Sequence, residues 1–310
     1  MKPIKVIFNP LAGRGRGARL EADLTAALAQ ARLDFDLTET EYPGHGIELA
    51  TQAKRAGYDT IVAAGGDGTV SEVVNGLVQA APLHEPAGRL GLLPIGSGND
   101  FATMVGCPVK WEEAVQRLAA GEERLVDLGH ASWVTENGIQ ARYFDNNMGV
   151  GLEAAVTLES YTIQRLSGSA LYVAAALKTL RGYRSPDLSL VCELADGELW
   201  RRACPTLMVS IGNSPRAGGG LYLTPDALLD DGLLDVGLAD DVPTWRVLRL
   251  LPMTLWGKHV NDPAWTSLRA RHLHITCAEG VPVQLDGEVV ARQAYEVSIT
   301  AHAGRLVVVV

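Results

Sequence analysis

Three short stretches of this chain hold residue types that can do phosphate chemistry. In Ile61–Gly76, IVAAGGDGTVSEVVNG, an apolar run stops at Gly65, Gly66, Asp67, Gly68 and Thr69 and then becomes an amphipathic helix. Glycines admit positive φ and let main-chain N–H groups approach an anion, and the helix start adds the positive end of its dipole. A carboxylate in such a cradle repels phosphate unless it works through a divalent cation, a bridging water or a ribose hydroxyl. Asp67 therefore points to metal-assisted phosphate chemistry. The plain alternative is a tight strand-to-helix turn with Asp67 as N-cap. Leu285-Asp286-Gly287-Glu288 sets two acids where a strand meets a turn, and a turn by itself explains Asp-Gly. Between them, the acids of Pro225–Asp235 form either a hard-cation site completed by main-chain carbonyls or, at Asp230-Asp231-Gly232, a hairpin turn. Gly218, Gly219 and Gly220 mark a mobile loop or a close backbone approach to a ligand.

The positioning elements follow from periodicity. Ile4–Phe8 reads as a buried strand, and Asn9-Pro10-Leu11-Ala12-Gly13-Arg14-Gly15-Arg16-Gly17 leads to a helix with apolar positions Leu20, Leu24, Ala27, Leu28 and Ala31. Arg14 and Arg16 make this turn cationic. Leu90–Pro94 is a third strand, running into Ile95-Gly96-Ser97-Gly98-Asn99-Asp100 with a helix start at Asn99 or Asp100. If these strands share one parallel sheet, all three turns meet at its carboxyl edge, where such sheets bind ligands. The spacing predicts a strand at Thr60–Ala64 and helices at Ser71–Ala81 and Trp111–Ala120, the last ended by Gly121. From Gly129 the texture changes to alternating segments at Gln140–Asn146, Leu188–Leu194, Leu199–Ile211, Leu233–Leu238, His272–Cys277, Val281–Leu285 and Tyr295–Val310. A helical insertion at about Glu153–Leu180 interrupts them. The expected fold is an α/β N-terminal domain with a three-layer, Rossmann-like parallel sheet, followed by a mostly antiparallel β-sandwich C-terminal domain.

The order NPLAGRGRG, GGDGTVSEVVNG, PIGSGNDFA and LDGE resembles the diacylglycerol kinase catalytic family, within it the soluble bacterial lipid kinases related to sphingosine kinases. The resemblance runs from Asn9 to about Val310. GGDGT alone is shared with NAD kinases and phosphofructokinases, whereas PIGSGNDFA sets lipid kinases apart. The resemblance implies an ATP-binding domain at 1–128, with a tail of about 300–310 packing back on it, and a lipid-substrate domain at 129–299. It implies transfer of the γ-phosphoryl group of ATP to the hydroxyl of a lipid such as diacylglycerol, in the cleft between the domains. Carried over residue by residue, it places Asn9, Thr40, Gly66, Asp67, Gly68, Thr69, Glu72 and Ser97 at the nucleotide. Ser71 stands where relatives often have asparagine. Asp286 becomes the general base, and Glu288 orients it or contacts a metal if extension continues past the turn; a solvated strand-end acid is the alternative. A structural Mg²⁺ falls to Asp231 with the carbonyls of Leu228 and Leu233. Asp127 matches an acid of a water and metal network, or is a linker acid. Arg165 lies near a lysine of some relatives, but the two bind phosphate differently, so it stays outside the site. Two other readings remain: a kinase of a soluble acceptor, NAD-kinase-like, and a non-catalytic nucleotide or lipid binder.

Composition fits two domains: 310 residues, 47% of them hydrophobic, supply two cores. The net charge of −9 argues against nucleic acid and gives no general attraction to an anionic bilayer. No apolar run reaches membrane-spanning length and no signal-peptide core follows Lys2, so a cytoplasmic protein is expected, to which the lipid-kinase resemblance adds peripheral membrane contact. Cys107, Cys192, Cys204 and Cys277 lack metal-ligand spacing and read as reduced core thiols. Membrane contact would then need a local patch. Thr244–Val260 holds three fixed positive charges and no acid, and Trp245, Leu248, Leu251, Leu255 and Trp256 can line a helix kinked at Pro252. That stripe packs into the core or meets lipid. Relatives often form dimers, so a homodimer is a further expectation.

Overall fold

The computed structural model describes residues 3–163, 166 and 168–310. Arg165 lies outside the described residues. The chain divides into two compact units, Met1–Asp127 with Gly304–Val310, and Leu128–Ala303.

The first unit is a parallel sheet with helical connections. Its elements are β1 (Ile4–Phe8), the single turn α1 (Ala12–Gly15), α2 (Glu21–Gln30), β2 (Phe35–Glu39), α3 (His45–Arg55), β3 (Thr60–Gly65), α4 (Asp67–Gln79), β4 (Arg89–Pro94), α5 (Asp100–Val105) and α6 (Trp111–Ala120). Strand order is β4-β3-β1-β2, every pair parallel. Each residue of β3 is buried, as expected of a strand covered on both faces. On α2 the apolar stripe buries Leu24 and Leu28. Gly121 closes α6 in the left-handed region (φ 73°), its N–H donating to the Arg117 carbonyl. The chain's last residues, Val307–Val309, join this sheet as a further parallel strand beside Arg89–Gly91. Arg305, 3% exposed, anchors them by donating from Nη1 to the carbonyls of Pro82 (2.8 Å) and Glu85.

Two helices differ from the sequence expectation. The first glycine turn is not a direct helix start: Gly13 and Arg14 are left-handed (φ 60° and 64°) and a 3-10 turn follows before α2. Helix α4 begins at Asp67, four residues before Ser71, because extended Gly66 serves as N-cap and its carbonyl accepts the Thr69 and Val70 N–H groups.

The second unit is antiparallel β. It holds most of β5 (Glu123–Thr135), then β6 (Gly138–Phe144), β7 (Asn147–Gly151), α7 (Leu152–Ser160), α8 (Gly168–Thr179), β8 (Asp187–Leu194), β9 (Leu199–Gly212), the short β10 (Arg216–Ala217) and β11 (Leu221–Tyr222), β12 (Leu234–Asp240), α9 (Thr244–Leu250), β13 (Trp265–Leu285) and most of β14 (Glu288–Val309). The long strands change partners along their length. β13 pairs with β12 at its start, with β8 in its middle and with β7 at its end, while β14 runs beside its second half. The sheets thereby enclose one core that includes Phe144, Met148, Ile211, Leu273, Ile275 and Leu285. His272–Cys277 and Val281–Leu285 belong to this one strand; left-handed Gly280 (φ 76°) marks the irregular register that makes them look separate. The helical insertion is present as α7 and α8.

Segment 244–260 is not one kinked helix. After α9 the chain tightens into a 3-10 turn over Leu251–Trp256, with Pro252 in its first turn, and another over Lys258–Asn261. Among the described residues no helix is long and apolar enough to cross a membrane.

Candidate active site

In the first unit, parallel pairing puts the carboxyl ends of β1, β2, β3 and β4 at one edge, and the nucleotide candidates follow those ends. Asn9 donates from Nδ2 to Thr69 Oγ1 at 3.0 Å, tying the first turn to the second. Thr40 donates its N–H to the Phe8 carbonyl (2.8 Å). Asp67 Oδ1 accepts the N–H of Phe101 (3.3 Å), tying the second turn to the start of α5. Asp67 is thus not the cap of its own helix, whose N-cap is Gly66. The Glu72 carboxylate accepts the N–H groups of Gly44 (2.8 Å) and Gly46 (2.9 Å), so it fixes the loop between Thr40 and α3. Ser71 is buried on α4, whereas Ser97 is exposed at the edge. Asn99 adopts φ 53°, and its Oδ1 is buried without a hydrogen-bond partner among the described residues. Exposed Arg14 and Arg16 supply positive charge at the first turn.

The glycines are required for a reason other than the one their composition suggests. Gly65, Gly66 and Gly68 are not in the left-handed region. A Cβ on Gly65 would lie 2.3 Å from Thr69 Oγ1, and one on Gly96 would lie 2.5 Å from the Gly66 Cα. The second and third turns touch backbone to backbone, which only glycine permits. Gly68 differs: nothing lies within 4 Å of a Cβ placed there, so its backbone borders open space.

Asp127 is 2% exposed within β5, and its Oδ1 accepts the Gly304 N–H at 2.7 Å. It is a strand acid that fastens the returning chain end rather than a linker acid.

In the second unit, Asp286 and Gly287 form the tight turn between β13 and β14, both with positive φ (47° and 81°). The Asp286 carboxylate is aimed by main-chain donors: Oδ1 accepts the N–H groups of Asn146 and Asn147, each at 3.0 Å, and Oδ2 accepts that of Asp145 at 3.2 Å. The Asp145 side chain adds a further hydrogen bond to this carboxylate. Burial pushes the Asp286 carboxyl above its ordinary pKa against the pull of these donors and of the neighbouring Asp145 side chain. Extension does not continue past the turn, so Glu288 does not share the Asp286 face; its exposed carboxylate pairs with Arg142 at 2.6 Å.

Asn147 extends the site. Its Nδ2 donates to Glu153 Oε1 (2.8 Å), to which Gln284 Nε2 also donates (3.0 Å), and Gln284 Oε1 accepts the Gly287 N–H (2.8 Å). Burial pushes Glu153 up to about 7 against these hydrogen bonds. Asn147, Glu153, Gln284 and Gly287 line an open pocket of about 120 Å³, otherwise lined mainly by apolar side chains such as Leu152, Val156, Leu207, Met208, Val247 and Leu251. The whole lining belongs to the second unit. Sequence reasoning passed over Asn147, Glu153 and Gln284; the polar run Asp145-Asn146-Asn147 between two apolar strands was the available signal.

At the cation candidate, Asp231 Oδ1 accepts the Leu233 N–H (3.0 Å), Oδ2 pairs with Arg269, and Gly232 turns the chain at φ 75°. Among the described residues no group of three or more His, Cys, Asp or Glu side chains gathers for a metal, so a cation here would depend on main-chain carbonyls. One carboxylate plus the Leu228 and Leu233 carbonyls would be oxygen donors of the kind Mg²⁺ takes, but the Asp231 carboxylate is engaged by Arg269 and by the Leu233 N–H.

Comparison with known proteins bears on both units. The diacylglycerol kinase catalytic domain profile matches residues 3–131, and the YegS C-terminal NAD kinase beta sandwich-like domain profile matches residues 146–309. The chain is 29% identical over 290 residues to a diacylglycerol kinase of Bacillus subtilis (strain 168), spanning 93% of this chain and 90% of that one. It is 32% identical over 246 residues to a "probable lipid kinase YegS-like" of Chromohalobacter salexigens, spanning 79% and 74%. A crystal structure of a diacylglycerol kinase from Bacillus anthracis str. Sterne superimposes with a TM-score of 0.71 at 22% identity, covering 99% of this chain and 96% of that one, which supports the fold.

Proposed function

The chain belongs to the diacylglycerol kinase family, with a catalytic domain followed by a YegS-type β-sandwich domain, and from that premise we propose that it transfers the γ-phosphoryl group of ATP to the hydroxyl of a lipid such as diacylglycerol. The observation that carries the reading is Asp286: a carboxylate aimed by three main-chain N–H groups, beside an open pocket lined mainly by apolar side chains that suits acyl chains.

In this reading the nucleotide lies against the carboxyl edge of the first unit's sheet. Gly66 and Gly68 offer main-chain N–H groups and the start of α4 to the phosphates, with Thr69, whose own N–H is taken by the Gly66 carbonyl, beside them. Asn9, Thr40 and Ser97 contribute polar groups, while Asp67 and Glu72 hold the turns and meet the nucleotide through a ribose hydroxyl or a bridging water. Mg²⁺ bound with ATP would neutralise phosphate charge, and Asp231 with the Leu228 and Leu233 carbonyls would hold a second, structural ion. The acyl chains fill the pocket and the glycerol end faces Asn147, Glu153 and Gln284. Asp286 Oδ2 takes the hydroxyl proton as the lipid oxygen bonds to the γ-phosphorus and the bond to the ADP oxygen breaks. Positioning and electrostatics supply most of the rate, and proton removal about 10²- to 10⁴-fold.

The test is transfer from labelled ATP with Mg²⁺ to a panel of lipid alcohols in mixed micelles. Wild type should label at least one lipid. Asp286→Asn should lose about 10²- to 10⁴-fold in kcat while still binding ATP. Turnover of NAD or another soluble acceptor with no lipid labelled would replace this reading, and an active Asp286→Asn would move the base elsewhere.

A further inference from the structure

Glu153 is an acid to which the proposed phosphoryl transfer gives no proton to move. It stands in the first turn of α7 and lines a pocket whose other walls are mainly apolar. Its carboxyl lies over Gly149, where a Cβ would come within 2.5 Å of the carboxyl carbon, so β7 leaves the space this group fills. The two oxygens have different surroundings. Oε1 accepts from Asn147 Nδ2 (2.8 Å) and Gln284 Nε2 (3.0 Å), and the Ser210 hydroxyl is a further hydrogen-bond partner of the carboxyl. Oε2 is buried and has no hydrogen-bond partner among the described residues.

A buried oxygen left unsatisfied is costly, and more so when it is charged. Helix α7 packs on α8, β7, β9 and β13. Of the charged and titratable groups on these elements, Asp286 follows β13 and is one residue removed, through the Asn147 main chain. Helix α8 carries Tyr172 and Lys178, the latter paired with Glu159. Elsewhere on the pocket lining, Asp240 pairs with Arg202 of β9, and burial lowers the pKa of His259. None of these brings an unpaired cation to Glu153. The start of α7 favours the charged form, but burial outweighs it and holds the carboxyl up to about 7. With Oε1 taken by N–H donors, the proton of the neutral acid sits on Oε2, and a carboxylic acid kept neutral by an apolar site is a hydrogen-bond donor. Its acceptor must come from whatever fills the pocket. Asn147 ties the two acids together, its N–H to Asp286 and its side chain to Glu153, so a lipid whose hydroxyl meets Asp286 sets the atoms a few bonds away beside Oε2. In an acylglycerol those atoms include an ester carbonyl oxygen. A lipid amine is a poorer fit, because its ammonium needs the carboxylate ionised and two charges would be desolvated together.

We infer that Glu153, protonated on Oε2, is a specificity-determining residue that donates a hydrogen bond to the ester carbonyl oxygen next to the lipid's reacting hydroxyl. That role rests on the lipid-kinase reading, with Asp286 as the base.

The experiment compares kcat/KM for a dispersed short-chain diacylglycerol with that for its dialkyl ether analogue, which keeps the hydroxyl and the tails but lacks the carbonyl oxygens. The two are measured at about pH 6 and about pH 8.5, on either side of the Glu153 value. Both lipids use the same base, so titration of Asp286 cancels in the ratio. Wild type should prefer the ester about tenfold at the lower pH, and the preference should shrink to about twofold or less once Glu153 ionises. Glu153→Gln, whose amide donates at either pH, should keep the preference at both, and Glu153→Leu should lose it at both. A merely structural role would change the rates on both lipids together and leave their ratio unmoved. Equal kcat/KM of wild type for ester and ether, an ester preference that does not change with pH, or its loss in Glu153→Gln overturns the role of Glu153 while the lipid-kinase reading stands. Turnover of a soluble acceptor with neither lipid labelled overturns that reading and the role of Glu153 with it.

Discussion

At the scale of single residues, two acids of the second unit behave differently from surface carboxylates, and each gives a pH prediction. Asp286 must be ionised to accept a proton, and burial raises its pKa. The acidic limb of kcat/KM should therefore lie above the ordinary aspartate range, and Asp286→Asn should flatten it; a limb at an ordinary aspartate value would remove Asp286 as the base. Glu153 is raised from 4.5 to about 7, chiefly by burial. The folded state then holds this proton more tightly than the unfolded chain does, so stability is lost as pH rises from about 4.5 to about 7. Glu153→Gln should remove that loss and leave the variant about 1–3 kcal/mol more stable than wild type at pH 8. Urea denaturation across the pH range measures it, and parallel curves for the two proteins would contradict the assignment. Asp286 was legible as an acid at a turn. Glu153 was not, because its environment is made by Asn147 and Gln284, which are distant from it or from each other in sequence and carry no pattern together.

At the scale of elements, the glycine turns separate structural from ligand-facing roles. Gly96 presses on Gly66, so Gly96→Ala should cost about 1–3 kcal/mol and weaken ATP binding through distortion. Gly68 sits in the first turn of α4 with open space beside it, so Gly68→Ala should leave the fold intact or stabilise it by up to about 1 kcal/mol. Its added methyl group should nevertheless weaken ATP binding, because it stands where the phosphates would approach. Thermal melts with ATP titration of both variants distinguish these outcomes; unaltered binding in Gly68→Ala would place the phosphates elsewhere. The strand–turn–helix order was readable because apolar runs and glycines are local signals. The reason for the glycines was not, since the atoms they avoid come from Thr69 and from the other turn.

At the scale of the whole molecule, the last seven residues belong to the first unit. Val307–Val309 extend its sheet, Arg305 closes the 82–85 loop, and Gly304 is held by Asp127. Deleting residues 304–310 should therefore unfold or loosen the first unit and abolish the proposed ATP binding, although every nucleotide candidate lies more than 200 positions upstream. Calorimetric titration with ATP tests this, and retained affinity would show that the tail is dispensable.

The sequence by itself determined the alternation of strands and helices, the three turns at one sheet edge, the change to antiparallel β after Gly129 and the family resemblance. Each of these is written in neighbouring residues, where periodicity, glycine and turn chemistry act over a few positions. Only the tertiary structure decided that Asp286 is aimed by the N–H groups of Asp145, Asn146 and Asn147, that Glu288 belongs to Arg142, and that Trp245 and Trp256 face solvent while Val247 faces the pocket. Those outcomes depend on which strands pair and which side of a short helix is covered, and such choices are made by burial across the fold.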